Sequence, residues 1–106
     1  MNYTHDDFFY SAKTAIDKHF DYFVFPTKGM FNEDEINHIY EIGASILMTK
    51  HGFQPGGSFV HAVVEDKMSL AYSRADSTML KAMRIMAHVA NNVSLIKADP
   101  VFKRMR

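Results

Sequence analysis

A glycine pair followed by serine, at a predicted helix start, is the segment of this sequence best suited to hold an anion. Gly56, Gly57 and Ser58 follow Pro55, and Ser58 is a good cap for the helix expected to begin there. A helix N-terminus presents unpaired N–H groups and a partial positive charge, and glycines allow close backbone approach. Two glycines are neither a Walker loop nor a dinucleotide fingerprint. The same residues make an ordinary tight helix connection, which we favour.

A row of cationic and amide side chains lies along the last predicted helix. Its members follow one another at steps of three, four and three, so they share one helix face. Such donors suit a phosphate or a nucleotide. A solvated face of an amphipathic helix is the more common meaning of this pattern. With the glycine turn, this row completes the predicted ligand-binding set: Gly56, Gly57, Ser58, Lys81, Arg84, His88 and Asn91.

Carboxylates and imidazoles at helical spacing raise two further possibilities, a metal site and acid–base catalysis. Asp34, His38 and Glu41 could ligate a metal if a second helix brought His61 and Glu65 to them. The first three fall opposite most of the apolar stripe, so we favour solvated charge and expect no metal.

A histidine oriented by a carboxylate is the minimal acid–base apparatus, and His61 could take that role with Glu65, Asp66 or Asp76. No nucleophile elbow, zinc motif or kinase-type pattern accompanies it. A packed histidine is the more common case, and we expect neither catalytic residues, nor a cofactor, nor enzymatic activity.

The first two predicted helices occupy the N-terminal half. Apolar residues at steps of three and four predict helix 1 over about residues 6–21, although residues 20–25 are also rich in strand formers. Asn32 is a good cap for helix 2, which we expect to end at Gly52 in a left-handed position. Gly43 in mid-helix suggests a close helix crossing. The apolar stripe of helix 2 is Ile36, Ile39, Tyr40, Gly43, Ile46 and Leu47.

The C-terminal half predicts a third helix from Ser58 to about residue 74 and a fourth capped by Asp76, ending at residues 91–92. Met79, Met83 and Met86 recur at helical spacing in the fourth helix. Methionines suit an adaptable partner surface, but at this spacing they more often fill a core, which we favour. Because both flanks of this helix are apolar, we expect the apolar surface that the chain itself does not cover to be buried in a homo-oligomer.

Composition limits the class of protein. With 106 residues, 47% hydrophobic, the chain should form one helical domain over residues 1–106, with a basic tail at residues 94–106. We expect an all-α fold, a small antiparallel bundle of about four helices, completed by oligomerisation if the last helix needs it. Without cysteine, disulfide scaffolds and thiol chemistry are excluded. No apolar run reaches membrane-span length and the start is polar and acidic, so we expect a cytoplasmic protein.

The formal net charge of zero conceals an asymmetry between the halves. Residues 1–50 carry eight acidic residues and four lysines, and residues 51–106 carry four acidic and eight basic residues. The halves could pair with each other on folding, or subunits could stack in an oligomer. No overall field attracts nucleic acid, so a nucleic-acid partner is not expected.

Eight residues of the segment from Gln54 to Asp76 form a recognisable pattern: Gly56, Gly57, Phe59, Ala62, Val63, Asp66, Ala75 and Asp76. This pattern resembles that of a group of small uncharacterised phage and prophage proteins, and the match spans about residues 50–93. The chain departs from that pattern by Ser58 after the glycine pair, by Glu65 in place of Asn, and by lacking an aromatic residue before the terminal Asn. The resemblance implies a virus-encoded accessory protein in a bacterial cytoplasm.

That setting leads to two functional hypotheses. The first is a binding protein that counters host defence by sequestering a phosphate-bearing small molecule, such as a nucleotide signal, at the glycine turn and the Lys81/Arg84 row. If helices 3 and 4 form an antiparallel hairpin, the turn can meet only the Asn91 end of helix 4 or another subunit. The alternative is an inhibitor or adaptor that binds a host protein through its acidic N-terminal helical surface.

Overall fold

The described part of the chain is entirely helical in its regular structure. A computed structural model describes residues 4–22, 27–52 and 56–91. The all-α prediction is therefore confirmed for these residues. The expected tail at residues 94–106, the strand-forming residues 23–25 and Pro55 lie outside the described residues. The helices are α1 (His5–Tyr22), a 3₁₀ turn (Lys28–Met30), α2 (Glu33–Lys50), α3 (Ser58–Val64), α4 (Met68–Arg74), α5 (Ser77–Lys81) and α6 (Met83–Asn91).

The antiparallel pair of α1 and α2 is the centre of the fold. The Phe8 ring lies 5.6 Å from the His51 ring at one end of the pair, and Phe20 lies 6.1 Å from Phe31 at the other. Between these ends the helices approach at Gly43, as the mid-helix glycine predicted. Helix α6 packs against both members of the pair, and α3 packs against α2 and α6.

Both predicted ends of α2 are confirmed in detail. The Asn32 side chain accepts from the Glu35 N–H at 2.8 Å, and the Glu35 carboxylate accepts from the Asn32 N–H at 3.1 Å, which completes a capping box. Gly52 follows the helix at φ +69°, the left-handed conformation in which glycine carries no steric penalty.

The predicted third helix is wrong as a single element, because it breaks into α3 and α4. Asp66 adopts φ +61°, the Asp66 N–H donates to the Val63 carbonyl, and the Lys67 N–H donates to the Ala62 carbonyl at 2.8 Å. These bonds form a Schellman motif with aspartate where glycine is usual. Aspartate is one of the few residues that tolerates this conformation, so the sequence carried no glycine or proline to mark the break.

The predicted fourth helix is also interrupted, although only at one residue. Ala82 separates α5 from α6 with φ −103° and ψ 10°, yet its N–H still donates to the Thr78 carbonyl at 3.0 Å. The Met86 N–H likewise donates to the Ala82 carbonyl at 2.9 Å. The described part thus has six α-helices instead of about four, because two expected helices are each divided.

The methionine stripe belongs to the core, as predicted. Met79, Met83 and Met86 are all buried, and both flanks of α6 are covered within the chain. Of the apolar residues on α5, Leu80 is 50% exposed. The surplus apolar surface that motivated a homo-oligomer is therefore small on α5 and α6, and the oligomer stays a prediction. No described helix is both long and apolar enough to cross a membrane.

Replacing Gly43 should weaken the contact between α1 and α2. A Cβ at this position would lie 2.9 Å from Ile16 Cδ1 and 3.3 Å from Ala12 Cβ. We expect Gly43→Val to lower the free energy of unfolding by about 2 kcal/mol, because overpacking displaces core side chains. Urea unfolding measures the change. The control is Gly29→Val in the exposed 3₁₀ turn; equal effects of the two variants would contradict the close-contact interpretation.

Candidate functional site

The glycine turn is accounted for by packing. A Cβ on Gly56 would lie 2.6 Å from Val60 Cγ1 and 2.9 Å from Ser45 Oγ, so a larger residue would have to displace both neighbours. The Gly56 N–H donates to Thr49 Oγ1 at 2.9 Å. One of the donors expected to face an anion is therefore already used inside the chain.

The prediction that Ser58 caps the third helix is wrong by one residue. Gly57 has the extended backbone of the cap position (φ −74°, ψ −175°), and it provides no side-chain cap bond. Ser58 is the first helical residue and is exposed.

The members of the predicted polar row have different environments. Lys81 Nζ lies 2.8 Å from Glu35 Oε2 and 5.2 Å from the centroid of the Phe31 ring, so this cation joins α5 to α2. Arg84 and Asn91 are exposed on α6, and His88 is half-buried. Arg84 is therefore the exposed cation that this row contributes on α6.

The structure does not bring the glycine turn and Lys81 together within one chain. Lys81 pairs with Glu35, whereas Gly56 bonds to Thr49 at the other end of α2, fourteen positions along. That separation corresponds to about 21 Å of helix rise. Lys50 Nζ donates to the Ala90 carbonyl, which places the Asn91 end of α6 at the same end of α2 as the glycine turn.

A cluster of three basic side chains, which we call the histidine cluster, joins α1 to α6. It consists of His19, His88 and Arg84. The rings of His19 and His88 are 5.0 Å apart between centroids and tilted by 56°. His19 is only 2% exposed. Burial, followed by the nearby His88 and Arg84, lowers the pKa of His19 to about 4, and burial also lowers the pKa of His88.

The sequence-based prediction included His88 and Arg84 but missed His19. A signal was present, because His19 continues the spacing of Ala12 and Ile16 on the buried face of α1. Its partner on α6 could not be identified, since the pairing of α1 with α6 depends on the tertiary arrangement.

The carboxylates and histidines that were considered for metal binding or acid–base catalysis are distributed over several places in the fold. His38 Nε2 lies 2.9 Å from Asp76 Oδ2. The pKa of Asp76 is below its usual value, mainly because its carboxylate accepts from the Met79 N–H and to a smaller extent because of His38. Within residues 4–22, 27–52 and 56–91, no group of three or more potential metal-ligating side chains occurs. Two further members have other partners: Glu41 pairs with His5 at 3.2 Å and Glu65 with Lys67 at 3.1 Å.

No protein-family model, curated protein or solved structure matches this chain. The resemblance to phage proteins therefore stays a prediction. The described part contains ion pairs that connect α2 to α1 and to the start of α5, and the histidine cluster, in which Arg84 is exposed.

We expect the free energy of unfolding to fall by about 2 kcal/mol between pH 7.5 and pH 5.0. The pKa of His19 is lower in the folded chain (about 4) than in the unfolded chain (6.5), so the unfolded state binds more protons as the pH falls through this window. Glu35 and Asp76, with lowered pKa values, lose their contribution only below about pH 4.5. Urea unfolding across this pH range measures the effect.

His19→Phe, which keeps a planar ring but cannot be protonated, should flatten this pH dependence, and His61→Gln at an exposed position should preserve it. A wild-type chain of constant stability from pH 7.5 to 5.0 would show that His19 titrates normally in the folded state.

Glu35→Gln should lower the midpoint of thermal unfolding at pH 7. The Glu35 carboxylate accepts from Asn32, Thr78 and Lys81, and Lys81 is the largest cause of its lowered pKa. The matched control is Glu33→Gln, at an exposed carboxylate in the same first turn of α2, and it should shift the midpoint less. Equal shifts would mean that the Glu35 network contributes nothing beyond an ordinary surface charge.

Proposed function

We propose that this chain is a non-enzymatic, phage-encoded accessory protein that counters host defence by binding or sequestering a phosphate-bearing small molecule, such as a nucleotide signal. The observation that carries the proposal is the position of Arg84. Its guanidinium is exposed on α6, one helical turn from the half-buried His88. A planar guanidinium beside an imidazole offers several hydrogen-bond donors to a phosphate.

The proposed site is smaller than the set suggested by the sequence. It centres on Arg84 and His88, with Asn91 one turn further along α6. Lys81 is paired with Glu35, and the glycine turn lies at the other end of α2 from Lys81. Within one chain, the glycine turn could contribute to this site only near Asn91. A glycine turn from a second subunit could also contribute, so a homo-oligomer is part of the proposal.

Thermal unfolding of the purified protein against linear and cyclic nucleotides tests this proposal. A ligand at 100 times its dissociation constant adds about 2.7 kcal/mol to the free energy of unfolding. For a domain of this size we expect the midpoint to rise by about 10 °C with one ligand class. A panel without any rise would overturn the proposal for those ligands.

Arg84→Glu should abolish the ligand-induced rise, measured from the unliganded midpoint of the variant itself, because the substitution replaces the cation with a carboxylate. Arg74→Glu makes the same charge change at an exposed arginine on α4 and should retain the rise. If both variants lose the rise equally, the effect comes from overall charge and not from a site at Arg84.

A second candidate function is the inhibition of a host protein through the acidic N-terminal surface. It is favoured by Glu33 and Asp34, which are exposed in the first turn of α2, near the end of α1 that carries Asp21. Carboxylates exposed in this way can attract a basic partner. Under this hypothesis Glu33→Lys with Asp34→Lys abolishes anti-defence activity in infected cells and Arg84→Glu leaves it intact; the reverse result supports ligand binding.

A further inference from the structure

We propose that the histidine cluster makes anion binding at Arg84 proton-linked, so that a divalent oxyanion binds more tightly as the pH falls below neutrality. This inference rests on the proposed function and specifies how the same site is regulated. It adds His19, a residue that the binding hypothesis did not include.

The geometry of the cluster carries the inference. Arg84 and His88 are one turn apart on α6 and therefore neighbours on the helix surface. The His88 ring lies between solvent and the interior, and the buried His19 ring lies 5.0 Å behind it. An anion held by Arg84 and His88 would be within electrostatic range of both imidazoles, in a region partly shielded from water.

The charges of the cluster explain why anion binding is coupled to proton uptake. Burial favours the neutral form of both rings in the free protein, and repulsion from His88 and Arg84 favours it further at His19. A bound dianion compensates for this repulsion, so each ring takes up a proton from the buffer more readily. A metal cation is disfavoured at the same place by the charge of Arg84.

Among residues 4–22, 27–52 and 56–91, the charged groups that lower the pKa of His19 are His88 and Arg84, both on α6. Helix α3 also packs against α6, and its titratable side chain, His61, is exposed. Four charged or titratable side chains of α2 contact other partners. Glu35 pairs with Lys81, His38 with Asp76 and Glu41 with His5, and Lys50 donates to the Ala90 carbonyl.

Sulfate is a suitable probe, because it keeps its double charge throughout the pH range in which histidine titrates. NMR titration of the histidine ring protons from pH 5 to 8, in sodium sulfate and in sodium chloride of equal ionic strength, measures the pKa of each ring. We expect sulfate to raise the pKa of His88 and His19 and to leave the exposed His61 unchanged. Sulfate affinity should be roughly tenfold higher at pH 5.5 than at pH 7.5.

Arg84→Gln should remove the effect of sulfate on both rings, and Arg74→Gln should preserve it. Equal responses of His19, His88 and His61 would overturn the inference, because ordinary ionic screening affects all rings alike. If a nucleotide binds at Arg84 while His19 and His88 fail to respond to sulfate, the proton linkage is refuted and the proposed function stands. If neither sulfate nor any nucleotide binds, both are refuted.

Discussion

The close contact between α1 and α2 at Gly43 is the constraint on which the other packing depends. The absence of a side chain allows Ala12 and Ile16 to approach the backbone of α2, and Cβ-bearing residues would hold the helices further apart. Helix α6 then covers a surface to which both helices contribute. The burial of its methionines and of His19 follows from that three-helix arrangement.

Several charged residues of the described segments connect helices. Glu35 closes the cap of α2 and also receives Thr78 and Lys81 from α5. The opposite charges of the two halves therefore meet in part, at Glu35 and Lys81, whereas Asp17 is paired with Lys13 of its own half. Of the groups that were considered for metal binding or acid–base catalysis, His38 is paired with Asp76 and Glu41 with His5 in the fold.

The histidine cluster contributes to the packing of α1 against α6 and also contains two residues of the proposed binding site, Arg84 and His88. Burying His19 lowers its pKa, so neutral imidazole is part of the stable α1–α6 interface at pH 7. The same interface carries Arg84 at its exposed edge. Stability and anion recognition are thus expected to respond to the same protons, and an anion would offset part of the acid sensitivity that burial creates.

The sequence by itself determined the elements whose signals are local. The capping box at Asn32, the left-handed Gly52 and the buried methionine spacing of Met79, Met83 and Met86 all depend on residues within a few positions of one another. It did not reveal the break at Asp66, because aspartate replaced the usual glycine in the Schellman motif. Only the tertiary structure decided that Lys81 and Gly56 lie at opposite ends of α2 and that His19 meets His88, since both outcomes depend on contacts between residues distant in the chain.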